Sequence, residues 1–230
     1  MKRGSLLALA LVLSGCAKLP PGGSAANGTI ITLSMTMQQP INQGFTYVMA
    51  LNPSTVLNPT TQGPIPVIAP PWGNGIVGGV CQYLIIWNFN APAGQQAQIY
   101  SLPTPTSEPV PTAYVPINFS LSSDGLTLSA EILTSEIAPS AAVAQTYQSL
   151  QINFLTMSTV PTPQYTGTRI EDALGNQNNP GTINSWITVP LNTSGAYNNA
   201  RYGGDLTSPN WVSDPTLDMV NFSVQVTPAG

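Results

Sequence analysis

Nine carboxylates, no histidine and two cysteines define the chemistry open to this 230-residue chain. Without an imidazole there is no Ser-His-Asp or Cys-His arrangement and no zinc site with histidine ligands. The only lysines are Lys2 and Lys18, both near the N-terminus, so a Ser-Lys hydrolase has no base within the body of the chain. Carboxylate chemistry remains. A glycosidase holds two acids across a sugar-sized cleft, and nine acids make too many pairs for any one to stand out. Glu171-Asp172, followed by Asn176, Asn178 and Asn179, is rich enough in oxygen to hold calcium but lacks the spacing of an EF-hand loop. It is expected to be a polar surface loop whose charge Arg169 offsets. No metal and no cofactor is expected.

Aromatic rings are the second candidate. Trp72, Tyr197, Tyr202 and Trp211 fall among glycines, asparagines and aspartates in stretches that read as long loops. Flat rings stacked on sugars, with amides such as Asn74 reading hydroxyls, would make a carbohydrate site. The competing reading is that each ring folds back to pin its own loop, because large aromatics bury most of their area. Trp87 and Trp186 lie within strand-like runs and are expected in the core.

The cysteines differ in kind. Cys81 sits in an apolar run and reads as a small buried hydrophobe; a reactive thiol would need a neighbouring base or cation. Cys16 follows a basic start (Lys2, Arg3), an apolar run from Leu6 to Leu13, and the small residues Ser14 and Gly15. The run is too short to span a bilayer: eight residues at ~1.5 Å each reach about 12 Å, against a hydrocarbon core of about 30 Å. It is instead the core of an export signal. Leu13-Ser14-Gly15-Cys16 resembles the lipobox of bacterial lipoproteins. The resemblance implies that residues 1–15 are cleaved, that Cys16 carries diacylglycerol and an acylated amino terminus, and that the acyl chains anchor the protein in a membrane. Ala17, where Asp would signal retention at the inner membrane, implies the outer membrane if the cell has two. With Cys16 lipidated, Cys81 has no partner for an internal disulfide.

Charge is scarce. Only 6% of residues are charged, against about 25% in ordinary soluble domains, so hydroxyls, carboxamides and backbone must carry solubility. Cleavage before Cys16 would leave Lys18, Arg169 and Arg201 facing nine acids, which excludes nucleic acid as a partner. With no histidine, stability should be nearly flat between about pH 5.5 and 8 unless burial raises a carboxylate.

The elements that would position these residues are strands. Residues 16–28, with Pro20-Pro21-Gly22-Gly23, read as a lipidated flexible tether, and residues 29–230 as one domain. From Thr29 to Gln38 and again from Phe45 to Leu51 apolar residues alternate with polar ones, which predicts an antiparallel hairpin across Pro40 to Gly44. Asn52 to Gly79 is proline-rich and predicts a long loop. Tyr83 to Trp87 is apolar on both parities, the pattern of a central strand covered on both faces. Ser122-Ser123-Asp124-Gly125 predicts a hairpin between Val115–Leu121 and Leu126–Ile132. Strands are also expected over Gln98–Leu102, Ser149–Met157, Asn184–Leu191 and Met219–Thr227, with two or three helical turns in Pro139–Gln148. Eight to ten strands with at most one short helix indicate an all-β antiparallel sandwich.

Gly63-Pro64-Ile65-Pro66-Val67, Pro71-Trp72-Gly73-Asn74-Gly75 and Asp172-Ala173-Leu174-Gly175 are similar to segments of uncharacterised bacterial surface lipoproteins. That resemblance implies an exported domain and supplies no catalytic residue. The expected role is a non-enzymatic binding or structural module of the cell envelope, with a polysaccharide or an envelope protein as partner; the alternative is a carboxylate-dependent glycan hydrolase.

Overall fold

The computed structural model describes residues 28–67, 74–160, 169–175, 185–202, 206–207 and 212–229. Within them the chain forms two packed antiparallel sheets and a small third layer. The alternation read from Thr29 onward becomes β1 (Ile30–Met37), in which every second side chain is buried. It is flanked by β9 (Thr127–Leu133) and β14 (Met219–Thr227). Beyond these lie β8 (Asn118–Leu121) and β13 (Gly195–Asn198), completing a first sheet in the order β13-β14-β1-β9-β8.

The second sheet runs β11 (Glu171–Ala173), β10 (Ser149–Met157), β2 (Thr46–Ser54), β5 (Tyr83–Trp87), β6 (Ala97–Ser101) and β7 (Val110–Pro111), with β12 (Ile187–Pro190) sharing the outer edge of β10 with β11. The expected β1–β2 hairpin does not form. β1 has both edges filled by β9 and β14, and β2 has both filled by β5 and β10, so residues 38–45 cross from one sheet to the other. Period-two alternation fixes which face of a strand is buried; it does not name the neighbour. The β8–β9 hairpin does form, and Gly125 takes the left-handed conformation its turn needs, with φ +75°.

Between the sheets lies the main core, in which Leu33, Met35, Met49, Ile85, Ile152 and Phe154 are fully buried. The rings of Phe154 and Phe222 meet across it at 5.5 Å. A second apolar cluster forms on the outer face of the second sheet, where Val48, Ala50, Leu84 and Leu155 are covered by Ile76, Val77 and Cys81. Ile76 and Val77 come from the stretch predicted as one long loop. It contains a two-stranded ribbon, β3 (Pro64–Pro66) and β4 (Val77–Gly79). A ribbon with one ladder tolerates the amides that proline lacks, and Gly79, at φ +67°, leaves no room for a side chain beside the Gly63 carbonyl.

Polar side chains fasten this layer. All nine residues of β10 are buried, Ser149, Gln151, Asn153 and Thr156 among them. Asn52 Nδ2 donates to Gln151 Oε1 at 2.7 Å, and Gln151 Nε2 donates to the Thr61 carbonyl at 3.0 Å. Asn153 Nδ2 donates to the carbonyls of Pro64 (3.0 Å) and Ser185 (2.9 Å), while its Oδ1 accepts from the Leu174 amide (3.1 Å). Trp186, expected in the core, is half-buried just outside β12, against Gly63.

The expected helix shrinks to one turn, α1 (Ala141–Ala144), capped by Ser140 Oγ and preceded by a 3-10 turn over Thr134–Ile137. An isolated alanine-rich segment of this length does not meet the cost of nucleation. The Asn153→Ala substitution strands two carbonyls and one amide in the interior and should destabilise the fold by roughly 2–4 kcal/mol. Urea unfolding measures it; a loss below about 0.5 kcal/mol would show that these bonds do not hold the third layer.

Candidate functional site

The chain enters the described fold at one end of the sandwich. The Thr29 amide donates to Thr134 Oγ1 at 3.1 Å and the Thr134 amide to the Thr29 carbonyl at 3.0 Å. From there β1 runs the length of the first sheet, about 25 Å for its eight residues, to the crossing segment 38–45. Ile41 there donates to the Gly125 carbonyl at 2.8 Å, and the Tyr47 hydroxyl to that of Thr216 at 2.9 Å.

Towards that far end a cleft of about 250 Å³ opens between β8 and the second sheet, lined by Gln43, Trp87, Phe89, Gln96, Phe119, Ser120 and Leu121. Each lining side chain is placed by a different constraint. Trp87 closes β5 opposite Ala97 and is 4% exposed. Phe89 sits in the β5–β6 turn, where Asn88 donates its amide to the Gln96 carbonyl and the Phe89 ring meets Tyr47 edge-on at 6.3 Å. Phe119 lies opposite Ala130 on the inward face of β8. Three rings and a leucine line the cleft together with the carboxamides of Gln43 and Gln96 and residue Ser120. No lining residue carries a titratable group, so the cleft can bind and orient but has no acid, base or nucleophile of ordinary strength.

The residues singled out from sequence do not converge on this cleft. Trp72 and Trp211 lie outside the described residues. Tyr197 belongs to β13 rather than to a loop, is 5% exposed, and has the Arg201 guanidinium 4.2 Å above its ring. Tyr202 packs against Phe222, ring centres 6.2 Å apart. Neither tyrosine is a free platform; both pin their own segment, the reading that competed with sugar stacking. Asn74 lies in the third layer, 5% exposed, with its Oδ1 accepting the amides of Ile76 and Val77 at 3.0 Å. Its task is a turn. Cys81 is buried and its thiol is pushed up to about 12, chiefly by desolvation.

Sequence reasoning missed Gln43, Phe89, Gln96 and Phe119. Phe89 left a signal, an aromatic between two asparagines just past an apolar strand. The glutamines left none.

Glu171 and Asp172 form a strand rather than a polar surface loop. Glu171 is ion-paired with Arg169, whose guanidinium also donates to the Gly75 carbonyl. Burial raises the Glu171 carboxyl and Arg169 opposes the shift. Asp172 is 3% exposed, its two oxygens accepting the amides of Ala173 and Met219 at 2.8 Å each. These oxygens are therefore engaged by the protein's own backbone; Asn176, Asn178 and Asn179 lie outside the described residues. Among the described residues no three acids or cysteines gather to hold a metal.

A second hollow, of about 350 Å³, is lined by Leu57, Asn58, Thr188, Pro190, Asn192 and Thr193. It has no ring and lies beside the end where the chain enters, since Thr29 Oγ1 donates to the Leu191 carbonyl at 3.2 Å. Comparison with protein families, curated proteins and solved structures gives no match to this chain.

The flat pH response expected from sequence carried one exception, a carboxylate raised by burial, and Glu136 is such a group. Glu136 caps the 3-10 turn, its Oε2 accepting the Leu133 amide at 2.9 Å. Desolvation, with the Glu131 carboxylate adding to it, raises its pKa from 4.5 to about 7, although the capping bond pulls the other way. Because the folded value is the higher one, the folded state binds the extra proton. The associated stability is complete below about pH 4.5 and is lost as pH rises through about 7. The carboxyl is partly solvated, so screening reduces the effect to about 1 kcal/mol, or ~2–4 °C in Tm. Thermal scans from pH 5 to 8 should show this decline in the wild type and its absence in Glu136→Gln; an equal slope in both proteins would assign it elsewhere.

Proposed function

We propose that the protein is a lipid-anchored, non-enzymatic binding module of the cell envelope, held to the membrane through acyl chains on Cys16 and presenting an uncharged cleft to a polysaccharide or an envelope protein. The observation that carries this reading is the lining of the cleft, where Trp87, Phe89, Phe119 and Leu121 stand beside Gln43, Gln96 and Ser120 with no ionisable group. Rings and carboxamides recognise neutral surfaces by stacking and hydrogen bonding. The position of the cleft supports the same role. The β8 wall of the cleft stands level with Leu33 to Met35, about 10–17 Å along β1 from Ile30, and Gln43 follows the far end of β1, so a tether on Cys16 would leave the cleft on the half of the domain turned away from the lipid, at the outer membrane in a cell that has two.

The glycan hydrolase weighed from the sequence finds no support in the cleft, whose lining lacks a carboxylate. Of the two acids that burial raises, Glu136 lies at the tether end and is committed to its cap, and Glu171 is ion-paired with Arg169.

Two experiments test the proposal. Cys16→Ala should abolish incorporation of a fatty-acid analogue and leave an uncleaved precursor; equal labelling of both proteins would end the anchor assignment. Phe89→Ala should keep the anchor and the fold, yet lose at least tenfold in retention of the purified protein on isolated envelope material. Unchanged retention would place binding elsewhere, and release of soluble sugars by the wild type would favour the hydrolase.

A further inference from the structure

The ligand chemistry of the cleft is narrowed by the strand that forms its wall. A sandwich has lateral edges, and proteins protect such edges with charge, proline or cover because an unpaired backbone recruits another strand. Three edges here carry such protection. On β13, Arg201 donates to the Ala196 carbonyl at 3.1 Å and lies over Tyr197. β7 has two residues and ends in Pro111. On the opposite side β11 contains Glu171 and Asp172, and β12 ends in Pro190.

β8 differs. Residues 118–121 contain no proline and no charge, residues 109–123 hold no charged side chain at all, and the pairing with β9 is free of bulges. Among the described residues β8 pairs with β9 alone. Asn118, Ser120 and Leu121 are exposed, Leu121 to 37%, Phe119 is half-buried, and nearby Ile117 and Tyr114 are exposed to 46% and 49%.

The free edge has a defined pattern. The Ser122 amide donates to the Thr127 carbonyl at 2.9 Å, and antiparallel alternation from that bond turns the amides and carbonyls of Ser120 and Asn118 towards β9. Those of Phe119 and Leu121 therefore point outward, and these residues also line the cleft. A donor and acceptor array repeating along a strand is matched by another extended backbone, and a strand added about 4.8 Å away puts alternate side chains on the cleft side.

We propose that β8 and the cleft together take an extended, uncharged polypeptide segment of another envelope protein by strand addition, its alternate apolar side chains seated against Phe119, Phe89 and Trp87. This rests on the binding role proposed above and selects a protein partner over a glycan. Glutamines 43 and 96 then meet the peptide groups of the incoming strand, and the polar residues of the segment continue the outer face on which Ser120 and Asn118 lie.

The test uses the full-length lipidated protein in nanodiscs and a capped peptide, acetyl-Lys-Thr-Leu-Thr-Leu-Thr-Lys-amide, followed by backbone-amide NMR. The peptide should shift the amides of Phe119 and Leu121. Two N-methylated versions, one at the leucine nitrogens and one at the threonine nitrogens, keep every side chain; one should bind at least tenfold more weakly and the other like the parent. Leu121→Pro removes an outward amide without breaking the β9 ladder and should lose the peptide at least tenfold while keeping its Tm. If that variant misfolds, the N-methylated pair still decides. Equal binding of both methylated peptides would overturn strand addition. So would shifts of the same amides produced by N-acetylglucosamine tetramer with the peptide inert, which would leave the binding role standing with a glycan ligand. Concentration-dependent shifts without any probe would assign the edge to a second copy of the chain and overturn the proposal. Silence towards both probes would overturn it together with the binding role.

Discussion

The scarcity of charge is the constraint on which the rest of this structure depends. A chain with charged side chains at only 6% of its positions must satisfy its buried polar groups with neutral ones. An unpaired buried amide or carbonyl costs about 1–3 kcal/mol, so the placement of carboxamides becomes the placement of the fold. β10 shows this most clearly. Its inward residues Leu150, Ile152 and Phe154 join the main core, while Gln151 and Asn153 on its outer face hold the Thr61 and Pro64 carbonyls of the covering layer. Arg169, Glu171 and Asp172 are charged exceptions, and they too are turned to structure: the first two tie β11 to the Gly75 carbonyl and Asp172 accepts the amides of Ala173 and Met219.

Much of this was legible in the sequence, and the failures have physical causes. β1, β10 and β14 stand where alternation placed them: β1 and β14 have one face on the core and so repeat with period two, while β10, buried on both faces, alternates because carboxamides fill its outer face. The double-sided burial of β5 was legible from a different signal, apolar residues on both parities, with Leu84 in one apolar cluster and Ile85 in the other. The β1–β2 hairpin was not a sound expectation, since alternation is silent on partners. β3 escaped notice because prolines mask a short ribbon that needs only one ladder. Tyr197 and Tyr202 looked like loop platforms because glycine and asparagine surround them, yet these neighbours let the chain bring each ring back onto the fold.

The cleft was the least legible feature. Gln43, Phe89 and Phe119 come from three distant segments and meet only because two sheets stack with their edges aligned. No spacing in the chain encodes that meeting. Its features nonetheless agree with the proposed anchor: the wall that lacks edge protection, the neutral lining and the position far from Thr29 fall on the same part of the molecule. The raised carboxyl of Glu136 belongs to the other end, where it caps the turn whose Thr134 grips the start of β1.

The orientation of the domain on a membrane is the central claim, and paramagnetic broadening measures it directly. With the lipidated protein in nanodiscs containing a gadolinium-chelating lipid, the amides of Thr29, Thr134 and Thr227 should lose intensity, while those of Gln43, Phe89 and Leu121 should keep it. Stronger broadening at Phe89 and Leu121 than at Thr29 and Thr134 would put the cleft against the lipid and contradict the account.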